Sequence, residues 1–581
     1  MCSSEFGKHN RILEMFLLEN NHFTVLAAVI TSVLSVLLLL AVSRQLWTLR
    51  WTITRDRKCE LPLPKGSMGW PLFGETFHWL FQGSSFHISR REKYGNVFKT
   101  HLLGKPVIRV TGAENVRKIL LGEHNLVSTQ WPQSTRIILG ANTLVNSIGD
   151  LHKRKRKILA KVFSRAALET YTPRLQDVVR CEIAKWCSER GSVNVYAAAK
   201  ALTFRIAIRV LLGLNIEESH LNYLSKIFEQ LMDNLFSLPF DVPFSGLRKG
   251  MKARDTLHEC MEKIIKEKLQ RPQSEGYSDI FDYMLSSAKE NGHELSIQEL
   301  KESAVELIFA AHSTTASSST SLILQLMRHP AVADRIRDEL ETQGLNWNSN
   351  RMQLSTSQSG KSGQAILSEG VSEGNEQDRD CRSRAATIEQ KPPGDPVCRC
   401  DFLAGAAGEE PFSFCHLHHL NLERLGRLHY LDCVVKEVLR FLPPVSGGYR
   451  TALQTFELDG YQIPKGWSVM YSIRDTHETA AVYQNPEIFD PDRFGSERDE
   501  GKAGRFNYIP FGGGIRSCIG RELAQVILKT LAIELLNTAE WELATPAFPK
   551  MQTVPIVHPV NGLHVYFHFL NSDTKQESPK S

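Results

Sequence analysis

The sequence lacks an internal repeat, a regular cysteine spacing and a basic–aromatic repeat. Without a repeat, the motifs described below belong to one large unit. The eleven cysteines are odd in number, and Cys2, Cys59, Cys181, Cys187, Cys260, Cys381, Cys398, Cys400, Cys415, Cys433 and Cys518 form no pairing framework, which fits a reducing compartment. A formal charge of only +5 over 581 residues, with no basic–aromatic pattern, argues against nucleic acid as a partner.

Charge is also missing locally. Residues 23–42 carry none and are mostly Val, Leu, Ile and Ala, a length sufficient to cross a bilayer as a helix. Arg44, Arg50, Arg55, Arg57, Lys58 and Lys65 follow, whereas only Lys8 and Arg11 precede, so the positive-inside bias leaves the bulk of the chain in the cytosol. A cleaved signal peptide has a shorter apolar core ending at small residues; here the run ends at a basic cluster. The organisation expected is an extension over 1–22 with Met15 as a second candidate start, an anchor over 23–43, and a basic, Pro/Gly-rich hinge over 44–74. One domain over 75–571 and a polar tail over 572–581 complete it. Within that domain, about 344–419 is rich in Ser, Gly, Gln, Glu and Asp and reads as a disordered insertion. Its Cys398, Cys400, Cys415, His416, His418 and His419 match no common zinc spacing. Helical periodicity dominates elsewhere, with strand patterns at 106–111, 456–463 and 468–472.

The most specific pattern is Phe511-Gly512-Gly513-Gly514-Ile515-Arg516-Ser517-Cys518-Ile519-Gly520. Glycines permit positive φ and close backbone approach to a flat ligand, and one thiolate can stand under an iron with backbone N–H groups aimed at the sulfur. A Gly-rich turn with an incidental cysteine would not carry the whole F-x-x-G-x-R-x-C-x-G pattern.

On these residues the chain resembles the cytochrome P450 superfamily from the hinge to the C-terminus, the insertion excepted. The resemblance implies a mainly α fold with a small β portion, the haem-thiolate prism, holding haem b with Cys518 as axial iron ligand. Phe511, Gly512 and Gly520 would shape that loop, with Phe511 packed beside the sulfur, and Arg516 would meet a haem propionate. Glu437 and Arg440, the family's E-x-x-R, would join Arg493 in a supporting cluster, and His152, Arg156 and Arg450 would meet the propionates. Thr314 and Thr315 match the family's oxygen-activating segment, but Ala311 stands for the usual Gly and Ser313 for the usual acid. A proton relay at Thr314 would then run through Ser313, His312 or water. The basic face around Lys153, Arg154, Lys155 and Lys157 suits an acidic electron donor, implied to be NADPH–cytochrome P450 reductase.

Within the superfamily the chain is similar to the retinoic-acid hydroxylases. The likeness lies in Leu61-Pro62-Leu63-Pro64-Lys65-Gly66-Ser67-Met68-Gly69-Trp70-Pro71, Gln130-Trp131-Pro132, Asn234-Leu235-Phe236-Ser237-Leu238-Pro239 and Val445-Ser446-Gly447-Gly448-Tyr449-Arg450. It implies an apolar slot of Trp131, Phe236, Phe309, Val445, Gly448 and Tyr449, with Arg109 for a carboxylate. The implied function is ring hydroxylation of all-trans- or 9-cis-retinoic acid from an anchor in the endoplasmic reticulum membrane. Alternatives are a monooxygenase for a sterol or fatty acid, an O₂-independent haem-thiolate isomerase or dehydratase, and a non-catalytic retinoid-binding haem protein.

Overall fold

The computed structural model describes residues 3–270, 279–346 and 419–570. The expected insertion lies almost wholly outside these, as do the tail and Cys398, Cys400, Cys415, His416 and His418. The chain divides into two compact units, residues 1–130 with 447–472, and residues 131–446 with 473–581.

In the first unit the N-terminal helix runs unbroken from Ser3 to Ile53. It is long and apolar enough over Thr24–Ile53 to cross a membrane. The expected anchor ends at residue 43, but nothing between 44 and 53 breaks a helix, so the first part of the expected hinge is helical. Trp47 and Trp51 are buried on a helix whose other described side chains beyond residue 22 are exposed. Being four residues apart they share one face, stack edge to face, and pack on His101, while Trp51 also meets Trp467. Trp47 Nε1 donates to the Met68 carbonyl at 3.2 Å.

This unit carries a five-stranded sheet in the order Val97–Leu102, Lys105–Val110, Ser468–Ser472, Gly447–Ala452, Val127–Thr129. The strand expected at 106–111 is present one residue earlier. Its partner Val97–Leu102 escaped the pattern because nearly every residue in it is buried, Thr100 and His101 included, so no alternation shows. The single strand expected at 456–463 is a hairpin of Phe456–Leu458 and Tyr461–Ile463. Asp459 and Gly460 both have positive φ, 53° and 77°, as a two-residue hairpin turn with the strands' own twist requires.

The second unit is mainly helical and holds the main hydrophobic core. The helix Ile297–Arg328 runs through it and packs on the helices Val195–Arg205, Gly246–Gln270, His429–Phe441 and Arg521–Thr538. It starts six residues ahead of the Ser303 expected from apolar content, because a capping box decides its end. Ser296 Oγ accepts from the Glu299 amide at 3.2 Å and Glu299 Oε2 from the Ser296 amide at 3.1 Å. The helices Arg165–Ser188 and Arg521–Thr538 are joined by Glu534, which accepts from Gln176 at 2.6 Å and Arg180 at 2.8 Å. Among the described cysteines none is disulfide-bonded, and Cys433 alone is fully buried, fewer than a population of small core residues would be.

Candidate active site

Cys518 lies between a 3₁₀ turn, Gly514–Arg516, and the helix Arg521–Thr538. Its amide donates to the Phe511 carbonyl at 2.9 Å and closes the loop. Gly512 and Gly514 have φ of 69° and 66°, a region in which a side chain would be strained. Phe511 and Ile519 pack on the core, fixing both ends of the loop. Cys518 is an exposed residue, yet burial is the largest influence on its thiol and pushes the pKa up. The Gly520 amide bonded to it, and then Arg156 and Arg521, pull the other way. A thiol that is both accessible and desolvated faces a space enclosed by protein, and its neighbours favour the anion. These residues fit a flat prosthetic group with a metal above the sulfur.

The basic residues expected beside that group divide. Arg156 reaches the loop, with Nη2 3.3 Å from Ser517 Oγ, and burial lowers its pKa while Cys518 raises it. Arg516 Nη2 donates to the Ser147 carbonyl at 2.6 Å. His152 is buried on the helix Gly149–Ala160. Arg450, in the first unit, is buried and pairs with Glu123 at 2.7 Å, while its Nη1 donates to the Tyr449 carbonyl at 2.8 Å. Glu123, which no motif singled out, thus already balances the Arg450 charge.

Next to the loop along the fold lies a cluster of buried charges. Glu437, 0 % exposed, accepts from Arg440 Nε and Nη2 at 2.7 and 2.8 Å and from Arg493 Nε at 3.2 Å. The Asp490 amide adds a fourth bond at 3.0 Å. Arg493 also meets Glu500 at 3.0 Å and the Asn485 and Ile488 carbonyls at 3.0 and 3.1 Å. A residue outside the motifs ties this cluster to the loop. His477 is fully buried, accepts from the Ile509 amide through Nε2 at 2.9 Å, and lies with Nδ1 3.1 Å from the Arg440 carbonyl. Accepting at Nε2 leaves the proton on Nδ1, and burial drives the pKa down to about 3, so the ring is neutral. Ile509 in turn accepts from the Gly512 amide at 2.9 Å.

The segment Ala310–Thr315 lies in the middle of the Ile297–Arg328 helix. Ala310 is exposed and Ala311, Ser313 and Thr314 are half-buried, whereas Ala316–Leu326 are buried throughout. Thr314 Oγ1 donates to the Ala310 carbonyl at 2.8 Å, within its own helix. Ser313 Oγ lies 3.2 Å from His312 Nδ1. His312 packs edge-on against Phe204 and Phe228, and burial takes its pKa down to about 4. Of the residues expected to carry protons, His312 is thus neutral and embedded among aromatics, and Thr315 is buried.

The expected slot is brought together only in part. In the second unit Trp131 meets Phe309 edge to face at 6.3 Å, and Val445 is half-buried. Phe236 is 53 % exposed, on a segment where Leu238, Phe240, Val242 and Phe244 are exposed too. In the first unit the strand register puts Arg109, Met470 and Tyr449 in one row across the sheet. Arg109 is buried, not the surface strand residue its type suggests, and its charge lowers the Tyr449 phenol pKa against the larger raising effect of burial. Gly448 leaves room for Tyr471, whose hydroxyl oxygen a Cβ would meet at 2.6 Å and whose ring at 2.8 Å.

The comparisons with known proteins agree with these features. The family model described as Cytochrome P450 matches residues 64–354 and 416–564. Cytochrome P450 26C1 of Homo sapiens is 59% identical over 548 residues, 94% of this chain and 96% of the relative. Cytochrome P450 26B1 of Bos taurus is 52% identical over 558 residues, 96% and 97% of the two chains. A solved structure, retinoic acid bound cyanobacterial CYP120A1, superposes with a TM-score of 0.70 at 30% identity over 88% of this chain and 100% of its own.

Replacing Arg493 with Ala leaves Glu437 buried with one cation fewer and Glu500 without its inner partner. Such a break costs about 3–5 kcal/mol, so the variant is expected to lose bound haem and to unfold at markedly lower urea, read by absorbance and circular dichroism.

Proposed function

Because the chain belongs to the cytochrome P450 family, we propose that it hydroxylates retinoic acid at a haem whose iron is ligated by the Cys518 thiolate. It is a monooxygenase supplied with electrons by a reductase, in keeping with its family. The observation that carries the substrate is the 30% identity, across 88% of the chain, to a fold relative solved with retinoic acid bound. A local feature supports it: the Trp131–Phe309 pair offers aromatic surface to a polyene.

When bound, haem supplies the iron that activates O₂ and delivers one oxygen atom to a C–H bond. The chain's own residues prepare that chemistry. The Gly520 amide, Arg156 and Arg521 hold negative charge on Cys518 Sγ against the cost of burial. Arg156 and Arg516 at the loop, with His152 on the Gly149–Ala160 helix, would supply donors for the propionates. Thr314 Oγ1 holds a proton that it shares with the Ala310 carbonyl, on the accessible stretch of the central helix. With no acid at position 313, Ser313 Oγ and solvent are its nearest proton sources, since the embedded His312 is neutral.

The N-terminal helix fits a single membrane anchor. We infer residence in the endoplasmic reticulum membrane with the chain beyond the anchor on the cytosolic side, and NADPH–cytochrome P450 reductase as the electron donor. Lys153, Arg154 and Lys157, all exposed on the Gly149–Ala160 helix, suit an acidic docking surface on that donor.

The direct test is titration of the ferric protein with all-trans- and 9-cis-retinoic acid, followed by product analysis with reductase and NADPH. A low-to-high-spin shift at micromolar ligand and ring-hydroxylated products are expected; a sterol or fatty acid that turned over far better than either isomer would overturn the substrate. Cys518→Ser is expected to abolish the thiolate-type Soret band of the reduced carbon monoxide complex, and a persisting band at normal haem content would remove Cys518 as the ligand. Thr314→Ala is expected to keep that band and retinoid binding while the product formed per NADPH consumed falls and hydrogen peroxide rises.

A further inference from the structure

Glu306 has no part in the chemistry above, yet it is 5 % exposed in the middle of the central helix. Both its oxygens are engaged by one short stretch of backbone: the Leu144 amide donates to Oε2 at 2.8 Å and the Val145 amide to Oε1 at 2.6 Å. That stretch is otherwise held by its own turns, with Asn146 Nδ2 donating to the Gly140 carbonyl at 2.7 Å and Ser147 Oγ to the Leu144 carbonyl at 3.0 Å. Residues 140–148 contain no ionisable side chain, so the carboxylate is the one ionic acceptor offered to their amides by the central helix.

The stretch matters because of what lies at its ends. Before it stands Trp131, whose ring meets Phe309, three residues along the same helix as Glu306. At i and i+3 the carboxylate and the Phe309 ring share a helix face, so one face grips the segment from Trp131 to Ile148 at two points. After it stands Ser147, whose carbonyl accepts from Arg516 of the cysteine loop at 2.6 Å. Burial pushes the Glu306 pKa up to about 7, against the pull of the Val145 and Leu144 amides and of Lys155, with Glu302 adding to the rise. A carboxyl in so unfavourable a place is tolerated because two amides need it.

We propose that Glu306 is a positioning residue for substrate: it pins the Leu144–Val145 turn to the central helix and thereby keeps Trp131 against Phe309. This rests on the reading of that aromatic pair as part of the retinoid site. Gln is nearly isosteric, but its amide nitrogen cannot accept from a backbone N–H, so Glu306→Gln removes one of the two bonds and the charge behind the other.

The test is Glu306→Gln in the full-length holoenzyme, with haem content and the carbon monoxide band as controls for the fold. Faster amide hydrogen exchange in peptides covering 140–148 is expected, with haem retained. The retinoic acid concentration for half-maximal spin shift is expected to rise about tenfold, the usual loss for one charge-assisted hydrogen bond, with KM rising in step and kcat nearly unchanged. Unchanged exchange, or faster exchange with unchanged affinity, overturns the proposal, as does loss of haem, which would make Glu306 a general support of the fold. If wild-type protein shows no spin shift with retinoic acid, the substrate reading falls by itself, and the exchange rates alone decide whether the clamp exists.

Discussion

A carboxylate buried without water depends on the groups that pair it, and in this protein the placement of the ligand loop follows from that constraint. Glu437 accepts four hydrogen bonds, two from Arg440, one from Arg493 and one from the Asp490 amide, three of them on Oε1. The spare guanidinium hydrogens go to the carbonyls of Pro486, Ile488 and Asn485, which pins the irregular chain between the helix His429–Phe441 and the cysteine loop. Apolar packing alone is non-directional and would leave such a chain free to slide. Directed bonds to buried charge give it one position. His477 passes that position on, bonding the end of the same helix at one ring nitrogen and the Ile509 amide at the other.

The central helix carries a different compromise. Over Ala310–Thr315 it is opened to one side, and hydroxyls from Thr314, Ser318 and Thr203 accompany the carbonyls of Ala310, Thr314 and His312. Ser313 where the family pattern has an acid makes the segment electrically neutral, because the neighbouring His312 is buried between Phe204 and Phe228 and stays uncharged. Proton supply then rests on hydroxyls, which pass protons only through a partner.

Some residues could be placed from the sequence and others could not, and the difference is physical. Cys518, Glu437 with Arg440, and the glycines of the loop were legible because each is bound by spacing along one short segment: a thiolate next to its glycines, or two charges one helical turn apart. Arg493 was legible only from its order along the chain. Glu123, Glu306, Glu500 and His477 were not legible, because each is bonded to a group far away in sequence and nothing local marks it. Phe236 shows the opposite error, since a large aromatic is expected inside, and only the surrounding chain tells that it stands exposed beside Leu238, Phe240, Val242 and Phe244.

By itself the sequence determined the membrane-compatible helix, the helical class and the cysteine loop, each a property of consecutive residues: uninterrupted apolarity, a 3.6-residue period, or glycines flanking one cysteine. The group that loop would hold followed from the family resemblance. Tertiary structure alone decided that Trp47 and Trp51 of the N-terminal helix dock beside His101, and which face of the central helix is open. It also decided that Arg450 is matched by Glu123 and that Arg109 is buried beside Tyr449. Those outcomes depend on burial and on pairing between distant residues, and the cost of leaving a charge or an amide unpaired is settled only once the chain has closed around it.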